Sequence, residues 1–461
     1  LSLMLKVLSP YHTVDGLFVY RGCNSSESTM TELKKTPRNI NEWYTYLNAI
    51  NPNVIKLGLE RVRAAAERLG VASFPNARVV EIAGTNGKGS TAHMVASVLC
   101  AAGIRTGLYT SPHILRFSER IMINGVEASN DELCTAFEQV LKAEDPNEPL
   151  TFFEFTTLAA FLIFKSNDCE VLVLEVGLGG RLDAVNILDA DIAVIPSIGL
   201  DHCKLLGNTL HEIATEKAGI IKPSTEAVIT GELDDEALDV IRAKCQDCHA
   251  VLHESGRNMT WKIEDDTHIS MLSPIAFSHL EVPTMPLINA PLSFGVIQIL
   301  RLAYKFHILD RDIIYGFSHT ALHGRFERIS HKPEVIIDVA HNPPAAAYLS
   351  SCLRRNGNKR RYAVTGMLKD KDINATLSIM APNFEKFYVC SLPGERGAGI
   401  STIVGALAAC GVNPERIECC LDPYEAYERA LNDLPEDGQV IVFGSFVTVE
   451  KVLEGIGGGR F

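Results

Sequence analysis

The chain has 461 residues, 46% hydrophobic and 21% charged, with 43 Lys and Arg against 56 Asp and Glu for a net charge of −13. That length predicts two or three domains, each able to bury its own core. The acidic balance argues against a nucleic-acid partner, which needs a basic face to displace counterions; no apolar run approaches a bilayer span, so a cytoplasmic protein without a membrane partner is expected.

Residues 1–29 fit nothing that follows. The chain opens on Leu, Leu3 to Leu8 is too short and interrupted for a signal segment, and Met30 precedes a sensible domain start. This stretch therefore reads as a disordered extension or a mis-set start. Residues 43–50 and 56–69 show helical spacing. Strand and helix then alternate: strand 79–83, helix 90–102, strand 106–110, helices 131–142 and 154–165, and strands 171–176 and 192–198. Val171-Leu-Val-Leu-Glu-Val176 and Ile192-Ala-Val-Ile195 are continuous apolar runs, as strands covered on both faces should be. A helix over 212–221, a β-rich insertion over about 250–285 and helices over 289–306 and 309–317 complete this part.

A second alternation follows, with strand 335–339, helix 344–353, strands 362–366, 387–390 and 440–443, and helices near 400–410 and 424–431. The fold class is α/β: an N-terminal parallel-sheet domain of P-loop ATPase type over 30–320 and a smaller C-terminal Rossmann-like domain over 325–461. Ligands in such sheets lie beyond the carboxyl ends of the strands. Of the twelve cysteines, Cys100, Cys352, Cys390 and Cys410 sit in apolar segments, where a thiol packs as a small hydrophobe; a reducing compartment is expected. Cys245-Gln-Asp-Cys248-His249 matches a haem-attachment pattern, but no second ligand cluster accompanies it, and it reads as coincidence.

Residues 81–91, Glu-Ile-Ala-Gly-Thr-Asn-Gly-Lys-Gly-Ser-Thr, say most about function. A strand enters a loop with glycines at 84, 87 and 89, and a helix leaves it. That order turns bare backbone N–H groups and a helix N-terminus toward a phosphate, and Lys88 adds a mobile positive charge from a solvent-facing loop. Ser90 or Thr91 offers a hydroxyl to a nucleotide's Mg²⁺. Gly89 departs from the ordinary pattern, in which Ser or Thr follows Lys directly.

Three further places nominate themselves for metal and phosphate work. Ser111 directly follows a strand. Glu175 ends an apolar strand, where a carboxylate is expensive unless a cation neutralises it. Asp201-His202 is read as the end of the next strand. Oxygen and imidazole donors at strand ends suit a partly hydrated Mg²⁺. In the second domain, Asp338 and His341 stand where a strand runs into a Pro-started helix. Asn342 reads as that helix's N-cap, while Asp338 beside His341 is balanced between structural and functional readings.

Taken in order, Gly84-Thr-Asn-Gly-Lys-Gly-Ser90, Ser111-Pro-His113, Thr151-Phe-Phe-Glu154, Glu175-Val-Gly-Leu-Gly-Gly-Arg-Leu-Asp-Ala184, Asp201-His202, Glu216-Lys-Ala-Gly219, Gly324-Arg-Phe326 and Asp338-Val-Ala-His-Asn-Pro343 resemble the folylpolyglutamate synthase/dihydrofolate synthase family of ATP-dependent Mur ligases, most closely its bacterial bifunctional members. The resemblance spans about residues 32–450. It implies that Thr85, Asn86, Gly87, Lys88, Gly89 and Ser90 hold the ATP phosphates and that Asn289, Arg325 and Asp338 contact the nucleotide. Ser111, Glu175 and His202 would bind Mg²⁺. Thr151, Phe152, Phe153, Glu154, Leu182, Asp183 and Ala184 would line a pterin pocket, and His341 and Ser445 would hold the amino acid. Lys88, Lys217 and His341 would be catalytic, with Lys217 carbamylated; without the resemblance, Lys217 reads as a solvated cation at a helix C-terminus. Val185, His323 and the Pro-Leu-Ser after Ala290 depart from the family's usual residues, and Val185 leaves the detail of the pterin pocket open.

The implied reaction activates a carboxylate as an acyl phosphate with ATP, and the amine of L-glutamate then attacks it. Dihydropteroate or a folate is the acceptor, all partners are small molecules, and a monomer is the family expectation. Two alternatives stand beside it: a cell-wall amino-acid ligase of the same superfamily, and a regulatory P-loop ATPase that forms no new bond.

Overall fold

Apolar strands alternating with amphipathic helices build two sheets in the computed structural model, which describes residues 37–50, 56, 58–283, 285–357 and 359–457; the stretch 1–29 lies outside the described residues. The first sheet contains β1 (Arg78–Ile82), β2 (Thr106–Tyr109), β3 (Ile121–Ile123), β4 (Val126–Glu127), β5 (Val171–Glu175), β6 (Ile192–Ile195), β7 (Ala227–Thr230) and β8 (Val251–Glu254), in the order β4-β3-β2-β5-β1-β6-β7-β8. It is parallel from β2 to β8, with β3 and β4 antiparallel at one edge. Its helices are α1 (Ile40–Ala49), α2 (Glu60–Leu69), α3 (Lys88–Ala101), α4 (Asn130–Ala143), α5 (Phe152–Ser166), α6 (Cys203–Leu206), α7 (Leu210–Ala218), α8 (Asp235–Cys248), α9 (Ala290–Leu302) and α10 (Asp310–His319).

β1 lies at the centre because both its faces are covered. Val80 and Ile82 pack with Met94, Val95 and Val98 of α3 and Val296 of α9. Val79 joins Leu172 and Leu174 under Phe155, Leu158 and Phe161 of α5. Burial on both faces is the reason these strands read as unbroken apolar runs.

Several elements differ from the sequence reading, in which β7 has no counterpart. β8, expected within the insertion, extends the main sheet beside β7; only β9 (Thr260–Ile263), β10 (His268–Ser273) and β11 (Phe277–Glu281) form a separate antiparallel sheet. The β3–β4 hairpin was not anticipated, although Asn124-Gly125, both at positive φ (51° and 79°), is a strong two-residue hairpin signal. The haem-like pattern dissolves: Cys245 and Cys248 are buried in α8, and the described cysteines are free thiols.

The second sheet runs β12-β13-β17-β14-β15-β16, from β12 (Glu327–His331), β13 (Glu334–Ile337), β14 (Arg361–Thr365), β15 (Lys386–Cys390), β16 (Ile417–Cys420) and β17 (Gln439–Phe443). Only β12 is antiparallel. The helices are α11 (Pro343–Arg355), α12 (Ile373–Met380), α13 (Ile400–Ala409), α14 (Pro423–Asp433) and α15 (Phe446–Ile456). Between the sheets lies a cleft of about 1160 Å³, lined by Gly89, Ser111 and Glu175 from one side and Arg325, Asp338 and Phe446 from the other.

Candidate active site

The loop between β1 and α3 is shaped from two directions. Thr85 N–H donates to Ser197 O (2.8 Å), and the Thr85 hydroxyl both donates to Gly199 O (3.1 Å) and accepts from Gly199 N–H (3.0 Å). Asn86 N–H donates to Ser197 Oγ (2.9 Å), whose hydroxyl donates back to Asn86 O (3.0 Å). From the other side, a Cβ on Gly87 would fall 2.6 Å from Asn289 Oδ1, and Gly87 has φ +85°. Glycine is therefore required there both by conformation and by the approach of a residue two hundred positions away.

Lys88 does not project into solvent. It opens α3 and folds back, so that Nζ donates to Gly84 O (3.1 Å) and Thr85 O (3.4 Å). Burial lowers its pKa, opposed by Glu175 and Asp201. The intervening Gly89 also has a reason: a Cβ there would sit 3.3 Å from Glu175 Oε2, so glycine admits the carboxylate to the loop.

Glu175 ends β5 at 5% exposure, and its Oε2 accepts from Ser111 N–H (3.0 Å). Burial raises its pKa, while Lys88, the Ser111 N–H, Arg325 and Arg120 pull it down. Asp201 and His202 do not end β6, which stops at Ile195; they lie on the loop beyond, with His202 at φ 52° just before α6. Burial raises Asp201, but Lys371, donating to its carboxylate at 2.8 and 3.1 Å, and His202 hold it well below the usual range. The His202 ring, 3.5 Å from Lys371 Nζ, is pushed down to about 4 by burial and then by Lys371, which leaves its imidazole neutral. Among the described residues, no three His, Cys, Asp or Glu side chains converge as a metal cage.

In the second sheet, Asp338 follows β13 and accepts from Phe326 N–H (2.9 Å) and Ala340 N–H (2.7 Å). Burial raises it and Arg325 opposes. Arg325 lies 5.3 Å over the Phe446 ring; burial lowers its pKa, countered by Asp338 and Glu175. His341 Nδ1 meets Val339 O at 2.9 Å, and its Nε2 is 3.9 Å from Asp201; burial, then Lys371, brings it to about 4. Ser445 is 2% exposed, its Oγ accepting from Thr448 N–H (2.9 Å) as the N-cap of α15.

The residues matched to a pterin pocket carry structure as well. Thr151 and Glu154 form the capping box of α5, and the Glu154 carboxylate is paired with Arg61 at 2.8 Å. Phe153 lies against Gly177, where a Cβ would come within 2.5 Å of its ring, and 5.9 Å from the Tyr109 ring. Asp183 accepts from the N–H groups of Leu178 (2.8 Å) and Val185 (3.0 Å), ordering the turn that carries Ala184, and burial raises it to about 7. Leu182 is half-buried and Phe152 is buried.

Lys217 overturns the solvated-cation reading. Although it is in the last turn of α7, it is 3% exposed. Burial, then Lys88, lowers its pKa to about 7. Arg120, which sequence reasoning passed over, is buried at 8% exposure. Its Nε donates to His113 Nδ1 (2.7 Å), and it lies 5.2 Å over the Phe152 ring. Lys371 was missed too, since Leu-Lys-Asp-Lys-Asp reads as a polar loop.

Comparison with known proteins gives the family. The Mur ligase middle domain matches residues 82–274, and the Mur ligase glutamate ligase domain matches 324–446. The dihydrofolate synthase/folylpolyglutamate synthase of Escherichia coli K12 is 37% identical over 434 residues, covering 93% of this chain and 99% of that protein. The chain belongs to the dihydrofolate synthase/folylpolyglutamate synthase family of Mur ligases. The folylpolyglutamate synthase of Lacticaseibacillus casei is 31% identical, covering 83% of this chain and 91% of that protein. Among solved structures, E. coli FolC in complex with DHPP and ADP is similar at TM-score 0.85 and 36% identity, covering 93% of this chain and all of that one. The Yersinia pestis bifunctional enzyme complexed with AMPPNP and Mn ion follows at 0.83 and 36%, covering 92% and 99%.

Proposed function

We propose that the cleft uses ATP to join L-glutamate to dihydropteroate, and to the γ-carboxylate of (tetrahydro)folate. The observation that carries this reading is the meeting of Lys88 and Glu175 from the first sheet with Arg325 and Asp338 from the second. The loop 85–90 holds the phosphates with its backbone N–H groups, and Lys88 exchanges the carbonyls of Gly84 and Thr85 for phosphoryl oxygens. Asn289, Arg325 and Asp338 hold the rest of the nucleotide. A second structure of the bifunctional enzyme, with Mn, AMPPNP and L-glutamate bound, supports the substrate set.

Ser111, Glu175 and His202 would hold Mg²⁺ through one hydroxyl, one carboxylate on an apolar strand and one neutral imidazole, a donor set that suits the ion. Bound there, the ion would offset charge on the phosphates. The acceptor carboxylate attacks the γ-phosphorus, forming an acyl phosphate as ADP leaves. The glutamate amine then attacks the acyl carbon, and phosphate departs through a tetrahedral intermediate. The second sheet, with His341 and Ser445 at the amino-acid side, excludes water from the acyl phosphate. Phe153, packed on Gly177 beside Tyr109, gives the pterin an aromatic wall, next to Thr151, Phe152, Glu154, Leu182, Asp183 and Ala184. Lys217, buried and without an ion pair among the described residues, takes up CO₂ as its neutral amine, forming a carbamate and releasing one proton. Both parts of the chain line the cleft, which suits a monomer with an ATP-binding domain over 30–320 and a ligase domain over 325–461.

The test is ADP release with dihydropteroate and L-glutamate, each omitted in turn. ADP formed only when both are present supports the ligase; ADP formed without them overturns it in favour of a regulatory ATPase. Replacing dihydropteroate with tetrahydrofolate separates the two activities.

A further inference from the structure

Two side-chain amides face each other across the cleft. Asn86 Nδ2 donates to Asn342 Oδ1 (3.1 Å), and Asn342 Nδ2 donates to Asn86 Oδ1 (3.2 Å). Asn86 is in the middle of the phosphate loop; Asn342 leads from β13 into α11 and is 2% exposed. The Asn342 Oδ1 also accepts from Ala345 N–H (3.1 Å), capping α11, and its Nδ2 reaches Asp201 Oδ2 (3.2 Å). Beside this pair Lys371 is bonded to Asp201, and Pro344 rests against Gly199, where a Cβ would be 3.5 Å from its Cγ. Gly199 is the residue that clamps Thr85.

A helix cap needs only an acceptor, which Ser, Thr or Asp supplies as well as Asn. The donors on Asn342 do something else: they bind the first sheet at the loop and at Asp201. The backbone of Asn86 is already fixed to Ser197, so its side chain is the part of the loop whose placement depends on the second sheet.

We propose that Asn342 is a positioning residue that couples docking of the second sheet to the shape of the phosphate loop through Asn86, so that docking and nucleotide affinity are linked. The inference rests on reading 85–90 as the nucleotide site. Linkage is reciprocal: what strengthens docking strengthens nucleotide binding, and the reverse.

The test is calorimetric titration of the full chain with ADP, with thermal melts alongside. Asn342→Ser keeps a capping oxygen but is too short to reach Asn86. It loses both hydrogen bonds to Asn86 and is expected to weaken ADP binding about 5- to 100-fold, the effect of two lost hydrogen bonds, and to have no further effect in an Asn86→Ala background. Asn342→Asp keeps both cap and volume while removing the donor, and is expected to weaken ADP binding more, because it sets a carboxylate opposite Asp201. Wild-type ADP affinity in the Asp variant overturns the proposal, as does an equal loss from Asn342→Ser with and without Asn86. A wild-type chain that fails to bind ADP overturns the nucleotide reading itself, a different result.

Discussion

Glu175 and Glu81 occupy neighbouring parallel strands one register step apart: Glu175 lies opposite Ile82, and Glu81 opposite Leu174. Both interrupt apolar runs and both are buried. Glu175 reaches the carboxyl edge of the sheet, where it accepts from Ser111 N–H and is faced by Lys88, Arg325 and Arg120. Glu81 stops one residue short of its strand's end, and neither of its oxygens has a hydrogen-bond partner. The cation that acts on it, Lys222, directs its ammonium to Asn186 O (2.7 Å), Leu188 O (2.6 Å) and Asp189 (2.9 Å). A carboxylate on an apolar strand is thus no sign of a metal by itself; what sets Glu175 apart is the donor and the cations that the loops beyond the strand bring to it.

The sharpest way to break this contrast is to remove the first cation facing Glu175. Lys88→Ala is expected to lower turnover about 10²- to 10³-fold by removing charge stabilisation of the transferring phosphoryl group, measured where the thermal melt shows the variant folded. Near-normal turnover at saturating ATP would leave Glu175 as idle as Glu81. Glu175→Gln comes next. It is expected to raise the Mg²⁺ requirement about 10- to 100-fold, as loss of groups that hold or orient a metal's ligands does. An unchanged Mg²⁺ titration, in a variant whose melt matches wild type, would remove Glu175 from the site.

Lys217 is the cationic counterpart of Glu81, buried without an ion pair among the described residues. Burial and Lys88 hold its pKa near about 7, below the unfolded value of about 10.4. Between those values the unfolded chain binds more protons than the folded one, so this lysine makes stability rise with pH across the window. Lys217→Met is expected to flatten that rise. Bicarbonate is expected to raise the melting temperature of wild type and not of Lys217→Met, and short carboxylates to restore part of the activity that Lys217→Ala loses. A melt indifferent to bicarbonate, or a crystal showing a bare amine with metal bound, would count against the carbamate.

The contrast also shows what was legible in the chain. β1, β5 and β6 announce themselves because burial on both faces forces unbroken apolar runs, and the loop because Gly87 and Gly89 answer to Asn289 and Glu175. β12 and β16 were missed because edge strands, covered on one side only, lose that pattern. Lys371 and Asn342 stayed hidden for another reason: their roles arise only when the second sheet meets the first, and residues such as Asp201 that they touch lie over 140 positions away. The burial of Lys217 was invisible because helical spacing places it in a last turn that ordinarily faces water.

The smallest expected effect belongs to Glu81, and it tests the other half of the comparison. Burial holds its carboxyl well above the usual carboxylate range, with Lys222 opposing and Asp183 adding to the shift. The folded chain therefore keeps a proton that the unfolded chain releases near about pH 4.3, and stability is lost as pH rises from that value toward the folded pKa. Glu81→Met fills a similar volume without a polar atom. It is expected to stabilise the protein by about 1–3 kcal/mol, the penalty of an unsatisfied buried polar group, with more gain near about pH 8 than about pH 5. Thermal melts at the two pH values measure this, and ADP affinity should not change, because the carboxyl oxygens make no hydrogen bond to the loop. A loss of stability would mean that the carboxyl is held by a buried partner, and the contrast with Glu175 would then be one of position alone.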